Sequence, residues 1–343
     1  MSDDVGLGAT QHDVAKLARV SQSVVSRALS GGHVSARTKA RVLDACEKLG
    51  YVPDIGARTL VTRASNMVAV VVANIMNPFY PYIFDRLTLR IQGAGQEVLL
   101  LNCSGGRDVD EMLPTVLQYK VRGVIILTAS LSSKMAKTLE DRKIPTVMLN
   151  RYSTTVPGHS VTCDNVAAGR EVALKFLESG YKTFGYVGGA PGSSTNLDRR
   201  NGFLAGLGEY GHQPLFALDG EFNREWGYEA GEFVKRLSKV DAIFCADDVI
   251  AMGLIDNLRD SGWNIPEEVA IVGFDDVPSA SWSAYSLSTI RQPVDEMVEE
   301  TLRLLDRPWD TKPEKIRIPG QFISRKTFRD QKAVQDGGIR SVA

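Results

Sequence analysis

The stretch from Thr10 to Leu60 reads TQHDVAKLARVSQSVVSRALSGGHVSARTKARVLDACEKLGYVPDIGARTL. It predicts a first short helix with Thr10 as its cap, because Asp13 stands three residues on, close to a capping-box arrangement. The apolar residues of this helix fall on one face at spacings of three and four residues: Val14, Leu17 and Ala18.

Two further helices follow within the same stretch. Ser21 and Ser35 stand at cap positions, a Ser-Gly-Gly run ends the second helix, and Gly50 ends the third. The second helix carries the apolar residues Val24, Val25, Ala28 and Leu29. Those of the third helix can close a small three-helix core: Val42, Ala45 and Leu49. Two short helices joined by a tight turn are typical of a helix-turn-helix domain, whose second helix enters the major groove of DNA.

The second helix exposes side chains that suit DNA. Glutamine can bond adenine through a paired donor and acceptor, arginine can bond guanine, and serine mainly reaches phosphate oxygens. The side chains in question are Ser21, Gln22, Ser23, Ser26 and Arg27. Taken alone, they fit the solvated polar face of an ordinary helix about as well.

Three successive motifs resemble the head of the lactose/galactose repressor (LacI/GalR) family: D-V-A-K-L-A-x-V-S-x-x-V-S-R-A-L-S, V-S-x-x-T-K-x-R-V, and L-G-Y-V-P-D followed by A-R-T-L. The resemblance implies a DNA-binding domain over residues 10–53 and a hinge helix with its linker over residues 54–65. It implies operator contacts at Thr10, Ser21, Gln22, Ser23, Ser26, Arg27 and His33, and minor-groove contacts at Ala57 and Leu60. The loop before the third helix is one residue shorter than the family pattern, which affects only contacts to phosphate.

Charge and composition agree with a small DNA-binding part on a larger body. The 343 residues carry a net charge of −1, but residues 10–65 hold nine Lys/Arg against four Asp/Glu, so a basic head can neutralise phosphates. Residues 1–9 lack the apolar core of a signal peptide, and no run of 18 apolar residues exists. We therefore expect a cytoplasmic protein that does not enter a membrane.

The four cysteines are far apart and form no C-x-x-C motif: Cys46, Cys103, Cys163 and Cys245. We interpret them as reduced core residues rather than as metal ligands or disulfide partners. No cofactor and no metal site is predicted.

From Asn66 onward, short apolar runs of strand length alternate with helical stretches. The predicted strands are Met67–Ala73, Val98–Leu101, Val124–Leu127, Thr146–Leu149, Phe184–Val187, Ala242–Cys245 and Val269–Val272. The predicted helices include Tyr82–Ala94, Ala167–Gly180, Gly202–Gly211 and Val249–Ser261. This alternation predicts a doubly wound α/β body behind the all-α head, with too many strands for one sheet and therefore two sheets.

Ligands of doubly wound sheets bind beyond the carboxyl ends of the strands. The loops at those positions mix aromatic, amide, acidic and arginine side chains, which suit the apolar faces and the hydroxyl groups of a sugar. They also resemble the family's effector domain, which is similar to periplasmic sugar-binding proteins. The resemblance implies a cleft lined by Asn77, Phe79, Tyr80, Arg151, Asp164, Ser194, Arg199, Phe222, Asp247 and Asp275.

By the same resemblance, residues 66–330 form an effector-binding and dimerisation domain of two doubly wound subdomains. The N-subdomain takes about 66–163 and 293–320, and the C-subdomain about 164–290 and 321–330. Asp247 stands where many family members carry asparagine, which favours a neutral polyol there. Arg151 and Arg199 could instead hold a carboxylate, so both a sugar and a sugar acid stay open.

Enzyme functions lack support in the sequence. No G-x-G-x-x-G opens a helix after the first strand, Walker A and G-x-S-x-G are absent, and the four histidines show no metal-ligand spacing. The body alone would fit a sugar-binding sensor or transport-type protein without DNA regulation. The attached head favours a homodimeric transcriptional repressor that binds a pseudo-palindromic operator and responds to a small sugar or sugar acid.

Overall fold

The computed structural model describes residues 9–29, 32–51, 65–105, 107–127, 132–237 and 239–329. Its contacts divide the chain into two units, Met1–Ser65 and Asn66–Ala343. The predicted hinge contacts Ala57 and Leu60 lie outside the described residues, as does all of the predicted hinge except Ser65.

The first unit contains three helices, α1 (Gln11–Ala18), α2 (Gln22–Leu29) and α3 (Ala36–Leu49). The predicted cap of α1 is confirmed, because the Thr10 side chain accepts from the Asp13 N–H and the Asp13 carboxylate accepts from the Thr10 N–H. The cap of α3 by Ser35 is confirmed as well, and the left-handed Gly50, at φ 59°, ends that helix.

Three valines, one from each helix, form the centre of the first unit's core. Val14, Val25 and Val42 are completely buried. Leu17, which shares the predicted apolar face of α1 with Val14 and Ala18, is 48% exposed. Helix α1 turns the face with Val14, Ala15 and Ala18 toward the other two helices, which leaves Leu17 at the edge of that face.

The second unit is an α/β structure with the predicted alternation. Its strands are β1 (Met67–Val72), β2 (Glu97–Asn102), β3 (Gly123–Ile126), β4 (Thr146–Leu149), β5 (His159–Cys163), β6 (Phe184–Val187), β7 (Phe216–Leu218), β8 (Ala242–Cys245), β9 (Ala270–Val272), β10 (Thr289–Arg291), β11 (Lys315–Ile318) and β12 (Gln321–Ile323). Its α-helices are α4 (Phe79–Gly93), α5 (Leu113–Gln118), α6 (Ser133–Asp141), α7 (Asn165–Glu178), α8 (Ser194–Gly208), α9 (Arg224–Val234), α10 (Asp248–Asp260) and α11 (Val294–Leu305). Two 3-10 helices cover Val109–Met112 and Pro278–Ser281.

The strands form two parallel sheets, as the sequence predicts, and one small antiparallel pair. The six-stranded sheet has the order β11-β5-β4-β3-β1-β2 and the four-stranded sheet the order β7-β6-β8-β9, while β10 pairs with β12. Strand β11 joins β5 of the first sheet although it follows every strand of the second sheet in the chain. The chain therefore returns to its first sheet after completing the second.

Seven predicted strands are confirmed, and β4, β6 and β8 have the predicted bounds. Strands β5, β7, β10, β11 and β12 were not predicted. They are only three to five residues long or mix polar with apolar residues, and short strands of that kind carry no periodic signal.

Glycines allow the helices of the second sheet to pack closely. A Cβ atom on Gly202 of α8 would lie 2.1 Å from the Val166 carbonyl oxygen of α7, and one on Gly169 would lie 2.2 Å from the Arg199 carbonyl oxygen. Only glycine permits such an approach of two backbones. The packing of α7 against α8 thus fixes the helix that carries Arg199.

Helix α8 begins eight residues before the predicted start at Gly202. Ser193 caps it, because its hydroxyl accepts from the Asn196 N–H. Arg199 therefore projects from the second turn of a helix rather than from the preceding loop.

The described residues add three general observations. All four cysteines are buried and unpaired. None of the described helices is both long and apolar enough to cross a membrane. The described histidine, cysteine, aspartate and glutamate side chains form no group arranged to hold a metal ion.

Candidate functional site

The predicted DNA contacts form an exposed polar surface on the first unit. The seven that the structure describes are all exposed: Thr10, Ser21, Gln22, Ser23, Ser26, Arg27 and His33. The Gln22 amide donates to His12 Nδ1 at 3.2 Å, and Arg27 Nε donates to the Ser23 carbonyl at 3.3 Å. These bonds are within reach of solvent, so the amide and the guanidinium can exchange them for base edges at little cost.

The turn that orients α2 is supported from α3. Arg41 donates to the carbonyl oxygens of Ala18 and Arg19. Ala18 is the last residue of α1, and Arg19 is its C-cap. Arg19 takes the left-handed conformation at φ 52°. The guanidinium thereby satisfies carbonyls at the end of α1 and holds the bend that leads into α2.

The second candidate site is a pocket in the second unit. Its volume is about 240 Å³, counting the part that opens to solvent. It is lined by Asn77, Phe79, Tyr80, Asn150, Arg151, Thr195, Arg199, Phe222, Asp247 and Asp275. Eight of the ten predicted effector residues are therefore brought together, although they come from distant parts of the chain.

All these side chains follow the carboxyl ends of strands. Asn77, Phe79 and Tyr80 follow β1, and Asn150 and Arg151 follow β4 of the first sheet. Those of the second sheet come from segments that follow β6 to β9: Thr195, Arg199, Phe222, Asp247 and Asp275. The pocket thus lies where doubly wound sheets bind ligands.

Two predicted residues are not part of the pocket lining. Asp164 caps α7, where its carboxylate accepts from the Ala167 N–H at 3.1 Å. The Ser194 hydroxyl accepts from the Tyr152 N–H at 3.2 Å. Both side chains hold segments beside the pocket, Asp164 through a donor in the first turn of its own helix and Ser194 through a donor 42 residues away in the chain.

Asn150 and Thr195 line the pocket but were not among the predicted effector residues. Each directly adjoins a predicted residue, Arg151 or Ser194. A signal for Asn150 was present, since it is the first residue after a strand predicted with the correct bounds. For Thr195 the deciding feature is the early start of α8, which the sequence pattern did not indicate.

Arg199 is the most constrained side chain of the pocket. It is 2% exposed and donates to Asn165 Oδ1 at 2.9 Å and to Asp275 Oδ1 at 3.3 Å. Its guanidinium stacks on Phe274 with 3.6 Å to the ring centroid. These contacts fix the guanidinium in place before any ligand arrives.

Asp275 has an unusual backbone conformation and a carboxyl group with a raised pKa. Its φ of 121° lies in the region that L-residues rarely adopt. Burial raises the pKa of its carboxyl group to about 7, although the Arg199 guanidinium opposes the shift. Gln292 donates to the same carboxyl oxygen as Arg199, at 2.6 Å. Asp275 can therefore change its charge near neutral pH.

Asp247 links the two sheets. Its carboxylate caps α10 by accepting from the Ile250 N–H at 2.8 Å, and it accepts from the Asn77 side chain at 2.8 Å. Burial raises the pKa of this carboxyl group as well. Asn77 also donates to the Phe222 carbonyl at 3.4 Å. The segment after β1 is thus joined to the second sheet through side chains of the pocket itself.

Arg151 makes the other link between the two sets of loops. Its Nε and Nη2 donate to the Tyr80 hydroxyl at 3.2 and 3.0 Å, and Nη1 donates to the Ser193 hydroxyl. The guanidinium lies 5.2 Å from the centroid of the Phe222 ring. The pocket therefore offers donors from arginine and amide groups, acceptors from acids, and aromatic faces, which together suit a small polyhydroxylated ligand.

A wider groove exists elsewhere in the second unit, between α6, the starts of β4 and β5, and the segment around Trp309. Its volume is about 2110 Å³, again counting the part that opens to solvent. Lys143 lies over the Trp309 ring at 5.3 Å from its centroid. The charged side chains along this groove, such as Lys137 and Lys312, are exposed to solvent. Because they do not converge in a buried space, this groove is the weaker candidate despite its size.

Comparison with known proteins gives two family matches. The family described as bacterial regulatory proteins, lacI family, matches residues 10–54. The periplasmic binding protein-like domain matches residues 173–328. The first match covers the exposed surface around α2, and the second covers the part of the pocket formed by the second sheet.

Individual proteins are similar over nearly the whole chain. The transcriptional regulator DegA of Bacillus subtilis is 30% identical over 328 residues, which are 92% of this chain and 97% of DegA. A solved complex of the transcriptional regulator CelR with cellobiose is 26% identical, with a TM-score of 0.71 over 93% of this chain and all of that one. The Lac repressor dimer bound to operator and an anti-inducer is 23% identical, with a TM-score of 0.83 over 94% and 99%.

Proposed function

The chain belongs to the lacI family of bacterial regulatory proteins, and from this premise we propose that it is a cytoplasmic, homodimeric repressor whose operator affinity is set by a small sugar or sugar acid. Its relatives are named as transcriptional regulators. The proposed effector site is the pocket from Asn77 to Asp275, and no catalytic step is assigned to it.

One observation carries the effector proposal, namely the convergence of buried, chemically complementary side chains from both sheets. Arg199 and Asp275 are 2% and 5% exposed, and Asp247 is 1% exposed. Buried polar groups are costly to keep even when they are paired with one another, and clusters of them with shifted pKa values occur preferentially at functional sites. The cellobiose complex of CelR supports a carbohydrate as the ligand class.

The DNA-binding proposal assigns base contacts to Gln22 and Arg27 and phosphate contacts to the serines of α2. Thr10 and His33 are proposed to contact the operator as well. One helix-turn-helix unit reads only a few base pairs, so a dimer on a pseudo-palindromic site supplies useful affinity. The operator-bound dimer of the Lac repressor supports this assembly.

We assign the coupling between the two sites to the hinge over residues 54–65, with Ala57 and Leu60 as its minor-groove contacts. A helix of that length is marginal alone in water, so it is expected to form when paired on DNA. The body is divided into the N-subdomain (about 66–163 and 293–320) and the C-subdomain (about 164–290 and 321–330). An effector that moves the two subdomains relative to each other would change how readily the two hinge helices of the dimer pair. Operator must then change the affinity for effector by the same factor as effector changes the affinity for operator.

The experiment that tests the proposal is fluorescence anisotropy of the full-length protein with pseudo-palindromic DNA from upstream of its own gene. A scrambled duplex at near-physiological salt is the control. We expect a preference of roughly a thousandfold for the palindrome, and this preference should change when the effector is added.

Equal, weak and steeply salt-dependent binding to both duplexes, with and without candidate effectors, would contradict the operator half of the proposal. The effector half has its own test. Effector affinities measured with and without operator should differ by the same factor as operator affinities measured with and without effector. Equal effector affinities in the two titrations would rule out the coupling.

A further inference from the structure

The two buried arginines of the pocket differ in their ion pairing. Arg199 pairs with Asp275 at 3.3 Å. Arg151 is 8% exposed, yet no carboxylate of the described residues lies within the 4.0 Å of an ion pair. The groups that contact it are the neutral hydroxyls of Tyr80 and Ser193 and the ring of Phe222. A buried cation to which no carboxylate bonds directly is unfavourable, so this position favours the arrival of an anion.

Arg151 also keeps free donors. A guanidinium carries five N–H groups, and three bonds to Tyr80 and Ser193 are present. The remaining N–H groups belong to the two terminal nitrogens, whose geometry matches the two oxygens of a carboxylate. Since Arg151 lines the pocket, a ligand can reach them.

The acids of the pocket do not neutralise Arg151 directly. Asp275 is engaged by Arg199 and Gln292, and Asp247 is engaged by Asn77 and a backbone N–H. Burial raises the pKa of both carboxyl groups, that of Asp275 to about 7. The Arg151 charge lowers the pKa of both carboxyl groups from a distance, but neither carboxylate bonds to its guanidinium, so a ligand carboxylate can still pair with it directly.

An unpartnered acceptor lies next to this cation. The buried Asn150 Oδ1 has no hydrogen-bond partner among the described residues, and Asn150 is 4% exposed at a left-handed φ of 66°. An amide oxygen in this state requires a donor. A hydroxyl group of a ligand whose carboxylate is held by Arg151 would supply it.

Resting on the proposed function, we infer that the effector is a sugar acid rather than a neutral sugar, with its carboxylate on Arg151 and a hydroxyl donated to Asn150. The remaining hydroxyls donate to Asp247 and Asp275 at the other end of the pocket.

The test is calorimetric titration of the full-length protein with matched pairs of ligands. The acids are D-glucuronate, D-galacturonate and D-gluconate, and the neutral partners are D-glucose, D-galactose and D-glucitol. We expect at least one acid to bind about tenfold or more tighter than its partner, because a desolvated charge pair can add at least that much affinity. No binding by any acid, or equal binding within every pair, would overturn the inference.

Arg151→Gln removes the charge and keeps a donor. It should lower the affinity of the preferred acid by about tenfold or more, while the affinity of the neutral partner changes by less than about threefold. Arg151→Lys keeps the charge and is the matched control, which should retain most of the preference. If the glutamine variant fails to fold by tryptophan fluorescence, titration of the wild-type protein with the amide of the preferred acid, which lacks the negative charge, provides the same comparison. Equal affinity for the acid and its amide would contradict the charge pair.

The operator titration separates this inference from the proposed function. If a neutral sugar changes operator binding and the acids do not, the proposed regulatory function is supported and the sugar-acid inference is wrong. If an acid binds through Arg151 but the protein shows no preference for operator DNA, the assignment of the pocket is supported and the proposed regulatory function is wrong.

Discussion

The residues proposed to contact DNA and those proposed to contact the effector differ in exposure and in the range of their contacts. On α2, Gln22 is exposed and bonds His12 only ten residues away. In the pocket, Asn77 is buried and bonds Asp247, which is 170 residues away. The DNA surface is thus built from local structure, whereas the pocket exists only when both sheets are formed.

This difference predicts how function and stability are related in each region. An exposed side chain that contacts nothing essential can be removed at little cost to folding. A buried charged side chain in a network cannot, because its partners stay behind unpaired. Substitutions on α2 should therefore weaken DNA binding without lowering the stability of the fold, whereas substitutions in the pocket should lower both effector binding and stability.

The largest effect is expected for Arg199→Ala. It leaves Asp275 and Asn165 without their buried partner, so the free energy of unfolding should fall by about 3–5 kcal/mol, and effector binding should be lost. Urea denaturation followed by tryptophan fluorescence measures this, since all four tryptophans lie in the second unit. Arg170→Ala is the control, because its partner Glu209 is on the surface. An equal loss of unfolding free energy in both variants would contradict the distinction between buried and exposed ion pairs.

Asp275 should make the stability of the second unit depend on pH. Because its pKa rises from 3.8 to about 7 on folding, the native state holds the proton more tightly, and stability falls as pH rises from about 4 to 7. Relative to Asp275→Asn, which tolerates a positive φ, wild type should lose up to about 4 kcal/mol over that interval. Urea midpoints of both proteins at several pH values give the difference, and a constant difference would contradict the raised pKa.

A somewhat smaller loss is expected for Gly202→Ala. Its new Cβ would lie 2.1 Å from the Val166 carbonyl oxygen, so α7 and α8 must separate, at about 3 kcal/mol. Gly208→Ala on the same helix meets nothing within 4 Å and should leave the urea midpoint unchanged or slightly higher. Similar midpoints for the two variants would mean that the helix contact does not hold Arg199 in place.

The smallest effect on stability is expected for Arg27→Ala on α2. Loss of a base contact should reduce the preference for operator over scrambled DNA by about 1–3 kcal/mol, with an unchanged melting curve by circular dichroism. Lys48→Ala, which removes an exposed ion pair on α3, should change neither quantity appreciably. Destabilisation by Arg27→Ala would show that this side chain also supports the head, and the separation proposed for α2 would then fail.

The sequence was sufficient for the elements that short-range interactions define. Thr10, Ser35 and Gly50 mark helix ends because caps and left-handed glycines act within one turn. Continuous apolar runs locate β4, β6 and β8 with their bounds, because strands covered on both faces are apolar throughout. The loops that hold the pocket follow from these strands and from the direction of a parallel sheet.

Only the tertiary structure determines which of those loop residues face the pocket and which of their ionisable groups have shifted pKa values. Asp164 and Ser194 are bonded by backbone N–H groups beside the pocket, whereas Asn150 and Thr195 line the space. The raised pKa of Asp275 depends on burial by segments far away in the chain. The exposure and charge state of these side chains, and the absence of a carboxylate bonded to Arg151, depend on neighbours from both sheets, so they cannot be predicted from a local pattern of residues.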